Sequence, residues 1–166
     1  MEYNSLSSYI QKSNYLILIR SLTKMFSVAG LRLGYLLANE NIINDIKTLQ
    51  PEWSINAIAL EAGKECIDEH EFVQQTQLFI QNERERITTF LTDNGYQLSD
   101  SCVNFYLLKD PTLKSQHPLL EYLLMKGIVP RHTENFPGLN GTWLRLAIRE
   151  KQENDMLMEA LLDWNK

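Results

Sequence analysis

Six side chains in this sequence have types and spacings suited to covalent and anion-binding chemistry: Ser21, Thr23, Lys24 and Arg32 in one stretch, Arg131 and Arg145 in another. The first stretch reads Ser-Leu-Thr-Lys-Met-Phe-Ser-Val-Ala-Gly-Leu-Arg-Leu-Gly-Tyr from Ser21 to Tyr35, between the apolar runs Tyr15–Ile19 and Leu36–Ala38. A lysine at the end of a buried strand must be neutralised, paired or covalently modified, because an isolated buried ammonium is costly. Arg32 follows Lys24 by eight positions. Its planar fork of donors grips an oxyanion more firmly than an ammonium does. Glycines 30 and 34 permit a tight turn between the two. Arg131 ends one predicted strand and Arg145 sits within the next. Antiparallel neighbours of that kind can aim two guanidinium groups at one dianionic ligand.

The elements that must position these groups follow from hydrophobic periodicity. Tyr15–Arg20 and Leu31–Ala38 are continuous apolar runs of the kind found in strands buried on both faces, which points to a larger parallel sheet. Asn39-Glu40-Asn41 begins a helix over about Ile42–Gln50, and Pro51 interrupts it. Trp53-Ser54-Ile55-Asn56 opens a second helix, with Trp53 expected in a domain-junction core and Asn56 as its cap. A long helix from about Glu71 to Asp93 ends at Asn94-Gly95. Strands are expected at Gln97–Leu98, Cys102–Leu108, from Ile128-Val129 into Arg131, and at Trp143–Ile148, the last with period-two alternation. A helix over about Pro118–Lys126 stops at Gly127. Thr133–Thr142, with Pro137-Gly138 and Asn140-Gly141, reads as a loop. A final helix covers about Lys151–Trp164. Residues beyond the first fifty thus describe an α+β layer, with a small antiparallel or mixed sheet and helices on one side.

Composition narrows the function classes. The chain has 166 residues, a net charge of −5 and 44% hydrophobic residues. No basic stripe offsets the acidic balance, so nucleic acid is not an expected partner. The apolar runs are far too short to span a membrane, and the first residues lack the pattern of a secretory signal, so a cytoplasmic location is expected. Cys66 and Cys102 are expected as reduced buried thiols, and the scattered His70, His117 and His132 give no metal-ligand spacing.

Ser21-x-Thr23-Lys24 followed by Ala-Gly-Leu-Arg32-Leu-Gly-Tyr resembles the lysine motif of fold-type I aminotransferases, which depend on pyridoxal 5'-phosphate (PLP). Within that superfamily the likeness is strongest to the L-threonine-O-3-phosphate decarboxylases of cobalamin side-chain synthesis, with histidinol-phosphate aminotransferases as near relatives. Trp53-Ser54-Ile55-Asn56-Ala57 is similar to the segment that enters the small domain of the decarboxylases. Arg131-His132-x-x-Asn135-Phe136-x-Gly138-Leu139 and Trp143-Leu144-Arg145-Leu146-Ala147-Ile148-Arg149 resemble their substrate-binding C-terminal segment.

The resemblance implies an α/β chain in two parts. Residues 1–52 would be the end of a PLP-binding large domain, with two strands and a helix, and residues 53–166 an α+β small domain. It implies that Lys24 bonds covalently to the cofactor aldehyde, that Arg32 holds the cofactor phosphate, and that Ser21 and Thr23 bond that phosphate or steady the lysine–cofactor imine. Arg131 and Arg145 would hold the carboxylate and phosphate of a small phosphorylated amino acid or amino alcohol. Decarboxylation of threonine phosphate is the first expectation, transamination the alternative, and a homodimer the expected assembly. Met1-Glu2-Tyr3 is similar to residues that follow the family's cofactor-binding aspartate. The chain is therefore expected to be a C-terminal piece that is catalytically incompetent alone. A third possibility is a non-catalytic module that associates through its apolar strands.

Overall fold

The computed structural model describes residues 5–165, so the Met1-Glu2-Tyr3 segment lies outside the described residues. The chain divides into two compact units, Met1–Gln74 and Gln75–Lys166.

In the first unit a 3-10 helix at Leu6–Lys12 leads to β1 (Leu18–Ser21). This strand pairs antiparallel with β2 (Gly34–Leu37), Leu18 opposite Leu37 and Ser21 opposite Gly34. The pairing corrects the expectation of two strands buried in a parallel sheet. The connecting segment holds one turn at Lys24 and a 3-10 turn, Ala29–Leu31, whereas parallel pairing needs a longer crossover, usually a helix. Among the described residues Ile19 of this ribbon is 80% exposed despite its apolar neighbourhood. Apolar composition signals a wish for burial, and burial itself depends on what is packed on top.

Helices α1 (Glu40–Leu49) and α2 (Ala57–Asp68) follow, each capped as the sequence indicates. The Asn39 side chain accepts from the Ile42 amide at 3.0 Å, and the Asn56 side chain accepts from the Ala59 amide at 2.8 Å. Such caps satisfy backbone donors that have no partner within the helix. Asn39 also donates to the Ser13 carbonyl, tying the approach to β1 to the start of α1. Trp53 is 95% exposed with φ of +53°, which corrects its expected place in a core. The small core of this unit gathers Leu22, Leu33 and Ala59, with Phe26, Leu31 and Cys66 packed against it.

Helix α3 (His70–Asp93) crosses the division between the units and stops at Gly95, whose φ is +84°. In the second unit the strands are β3 (Gln97–Leu98), β4 (Phe105–Lys109), β5 (Arg131–His132) and β6 (Leu144–Ala147). They form one antiparallel sheet in the order β3-β4-β6-β5. Alternation sends Tyr106, Leu108, Leu144 and Leu146 into a core with Ile87 and Leu91 of α3. Helix α4 (His117–Met125) adds Leu119 and Leu123, and α5 (Lys151–Trp164) adds Leu157 and Leu161. Burying each such side chain contributes roughly 1.5–3 kcal/mol.

Strand β5 is shorter than expected and does not begin at Ile128-Val129. The Ile128 amide instead donates to the Leu123 carbonyl across Gly127, whose φ is +76°, and Pro130 has no amide to extend the ladder. The cysteines also differ from expectation: neither forms a disulfide among the described residues, but Cys66 is half-buried and Cys102 exposed. Among the described residues no helix is long and apolar enough to cross a membrane.

Candidate active-site residues

In the first unit the turn after β1 is pinned from both ends. Leu22 and Leu33 are buried, and the Leu22 amide donates to the Leu33 carbonyl at 3.4 Å. That clamp fixes Thr23 and Lys24 on one side and Arg32 on the other. Thr23 is buried, and its Oγ1 lies 2.8 Å from Ser21 Oγ, so the two hydroxyls form one hydrogen-bonded pair at the end of β1. Lys24 follows in a helical turn closed by the Phe26 amide on the Leu22 carbonyl. The lysine is exposed, which corrects the expectation of an ammonium forced to respond to burial. Arg32 is also exposed and adopts the left-handed conformation, φ +51° and ψ +45°. Non-glycine residues seldom sit there without a local reason. Among the described residues neither Lys24 nor Arg32 has an ion-pair partner.

The second unit carries the other two cations on one sheet face. Arg131 of β5 stands directly opposite Arg145 of β6 in the ladder. Leu144 and Leu146 turn toward the helices, so Arg145 belongs to the opposite face, and its direct partner Arg131 shares that face. Like charges directly across an antiparallel pair repel, and neither guanidinium has a carboxylate partner among the described residues. Each lies over an aromatic ring instead: Arg145 is 5.0 Å from the centre of Phe105, and Arg131 is 5.3 Å from that of Phe136. Lys109 repeats the pattern at 5.8 Å from Trp143.

The remaining polar residues of the quoted segments behave differently. Arg149 is held by Glu153 at 2.6 Å, and that carboxylate raises its already high pKa. His132 lies 4.0 Å from Glu134. Sequence reasoning singled out the two arginines but gave no role to Phe105 or Phe136. The signal was available for Phe105, which falls on the same face as Lys109 by period-two spacing.

Residues 2–161 match the model for aminotransferase class I and II. The chain belongs to this family. One member, a proposed threonine-phosphate decarboxylase of Caldanaerobacter subterraneus subsp. tengcongensis, is 32% identical over 155 residues, covering 92% of this chain and 41% of that protein. The histidinol-phosphate aminotransferase of Clostridium acetobutylicum has a similar structure, with a TM-score of 0.88 and 30% identity over 97% of this chain and 49% of that one. The Sinorhizobium meliloti histidinol-phosphate aminotransferase, solved with pyridoxal-5'-phosphate, shares the fold at a TM-score of 0.79 and 21% identity. It matches 96% of this chain and 43% of its own. The chain therefore spans less than half the length of these family members.

Proposed function

We propose that the whole protein is a PLP-dependent enzyme that transaminates a small phosphorylated amino compound of the histidinol-phosphate type. The observation that carries an anionic substrate is the Arg131–Arg145 pair, two register partners that no carboxylate neutralises among the described residues. Support for transamination over the decarboxylation first expected is the likeness to the Clostridium acetobutylicum aminotransferase, at 30% identity. Decarboxylation of threonine phosphate is the second reading, favoured by the Caldanaerobacter relative at 32% identity.

The residues present fit PLP. Lys24 offers an exposed amine for its aldehyde, and the Ser21 and Thr23 hydroxyls, 2.8 Å apart, offer a polar edge for its phosphate. Arg32 adds a guanidinium close by in sequence. When bound, PLP supplies an electron sink for bonds at the substrate's α-carbon. Lys24 would carry the proton at that carbon, since an amine is a competent general base once unprotonated. Arg131 and Arg145 would hold the substrate's acidic groups, and their grip would decide which α-carbon bond is presented for cleavage. On this reading residues 1–52 belong to a cofactor-binding domain, residues 53–166 to a substrate-binding domain, and the assembly is a homodimer.

The test is direct. PLP added to the purified chain is expected to give a visible absorbance band that Lys24→Ala abolishes. The whole enzyme is then offered histidinol phosphate and threonine O-3-phosphate in parallel. Loss of the amino group from the first supports transamination. Release of carbon dioxide from the second alone overturns it in favour of the second reading.

A further inference from the structure

We propose that Phe105 and Phe136 are positioning residues that orient Arg145 and Arg131 as a two-armed anion clamp; this rests on the reading of those arginines as substrate groups. The geometry sets a problem. Register places the two arginines directly opposite each other on one sheet face, where like charges repel. Left alone, such side chains swing apart into solvent, and an anion would have to order both when it binds. A carboxylate partner would hold each one, but it would also occupy the guanidinium's donors and cancel its charge. An aromatic face holds the cation by its quadrupole and leaves the N–H edge free and the charge intact. Both arginines have that kind of holder, at 5.0 Å and 5.3 Å, and neither has a carboxylate among the described residues.

The two rings come from different places, which makes the arrangement specific. Phe105 starts β4, one strand away from β5 on the far side of β6. Leu107 is the residue directly opposite Arg145, so Phe105 lies on the same face one alternate position along. Phe136 belongs to the loop between β5 and β6. That loop is fixed by the Thr133 hydroxyl donating to the Trp143 carbonyl at 2.6 Å and by the Phe136 amide donating to the Thr133 carbonyl at 3.1 Å. A ring from the sheet and a ring from an anchored loop thus flank the pair, and the two guanidinium edges remain for the ligand.

The test uses the full chain, with inorganic phosphate as the probe and the arginine Nε–H resonances as the local readout. In the unsubstituted chain the Arg131 and Arg145 resonances are expected to show aromatic ring-current shifts and to move on phosphate addition. Phe105→Leu and Phe136→Leu are each expected to weaken phosphate binding about threefold to fivefold and to remove the ring-current shift of the matching arginine. Phe→Tyr at either position restores both. Leucine variants that bind phosphate like the unsubstituted chain, while Arg131→Gln or Arg145→Gln weakens binding, would overturn the positioning role and leave the anion-site reading intact. If both glutamine variants bind phosphate normally, the anion-site reading itself fails. Absence of any ring-current shift in the unsubstituted chain also overturns the proposal, and that measurement needs no substitution.

Discussion

Gly34 approaches β1 so closely that a Cβ on it would lie 2.7 Å from the Arg20 carbonyl oxygen. The obstruction is backbone, which cannot swing aside as a side-chain tip can. Gly34 is also the register partner of Ser21, so the contact sits where the hydroxyl pair and the lysine turn begin. Gly34→Ala is therefore expected to part the end of the ribbon at a cost of about 1–3 kcal/mol, the range for overpacking. Urea denaturation should show the loss, and the band formed on PLP addition should weaken with it. A variant as stable as the original would mean that the ribbon end is free to adjust.

A second prediction concerns the start of α5. The Asn154 side chain donates to Glu83 at 2.8 Å and to the Arg149 carbonyl at 2.7 Å, and accepts from the Arg149 amide at 3.0 Å. It is buried and joins α3, the segment that follows β6 and the first turn of α5. Asn154→Ala leaves three polar groups short of a partner, and about 2–3 kcal/mol of stability should go with them. Asn154→Asp keeps the size but sets a second carboxylate against Glu83, so it should be destabilising as well. Denaturant midpoints for the two variants check both.

The helices of this protein are legible in the sequence because their signals are local. Asn39, Asn56 and Asn94-Gly95 mark helix ends through hydrogen bonds within a few residues of themselves. The alternation of Leu144, Arg145 and Leu146 likewise separates a core face from an open one. What the sequence hides is non-local. Nothing near Ile19 reports whether a second layer covers it, and nothing near Trp53 reports that its backbone turns left-handed and lifts the ring into solvent. The candidate site divides the same way. Lys24 and Arg32 stand out through one short motif, and Arg131 and Arg145 through their segments. The ring beneath each arginine becomes visible only when a separate strand and a loop are brought alongside.

Acid sensitivity follows from two carboxylates of the second unit. Hydrogen bonds from Arg86 hold the Glu83 carboxyl below its ordinary range, against the opposing effect of burial and with help from Asn154. Burial pushes the Asp110 carboxyl up, but donors from Thr112 and from the Trp164 indole outweigh it and leave it lowered. A carboxyl with a folded pKa below its unfolded one contributes stability that is complete above the unfolded value. That stability disappears as pH falls through the folded value. The chain should therefore keep its stability from neutrality down to about pH 5 and lose it progressively below about pH 4. Asp110→Asn and Glu83→Gln should each flatten that fall in a urea midpoint series measured against pH.

The last prediction runs against the usual direction of core substitutions. Tyr106 is 1% exposed, points from β4 into the main core, and has a hydroxyl with no hydrogen-bond partner among the described residues. Burial raises the pKa of that phenol, so it stays neutral at any ordinary pH, and the cost is one of desolvation rather than charge. Tyr96 in the same core offers the contrast: its hydroxyl donates to the Leu161 carbonyl at 3.0 Å and fastens the end of α5. Removing an unsatisfied buried hydroxyl relieves a desolvation penalty of about 1–3 kcal/mol, offset in part by the small space it leaves. Tyr106→Phe should therefore leave stability unchanged or raise it by about 1 kcal/mol, whereas Tyr96→Phe should lower it by a similar amount. Thermal and urea unfolding of the two variants side by side checks the sign. Equal losses for both would show that the Tyr106 hydroxyl has a hydrogen-bond partner in solution.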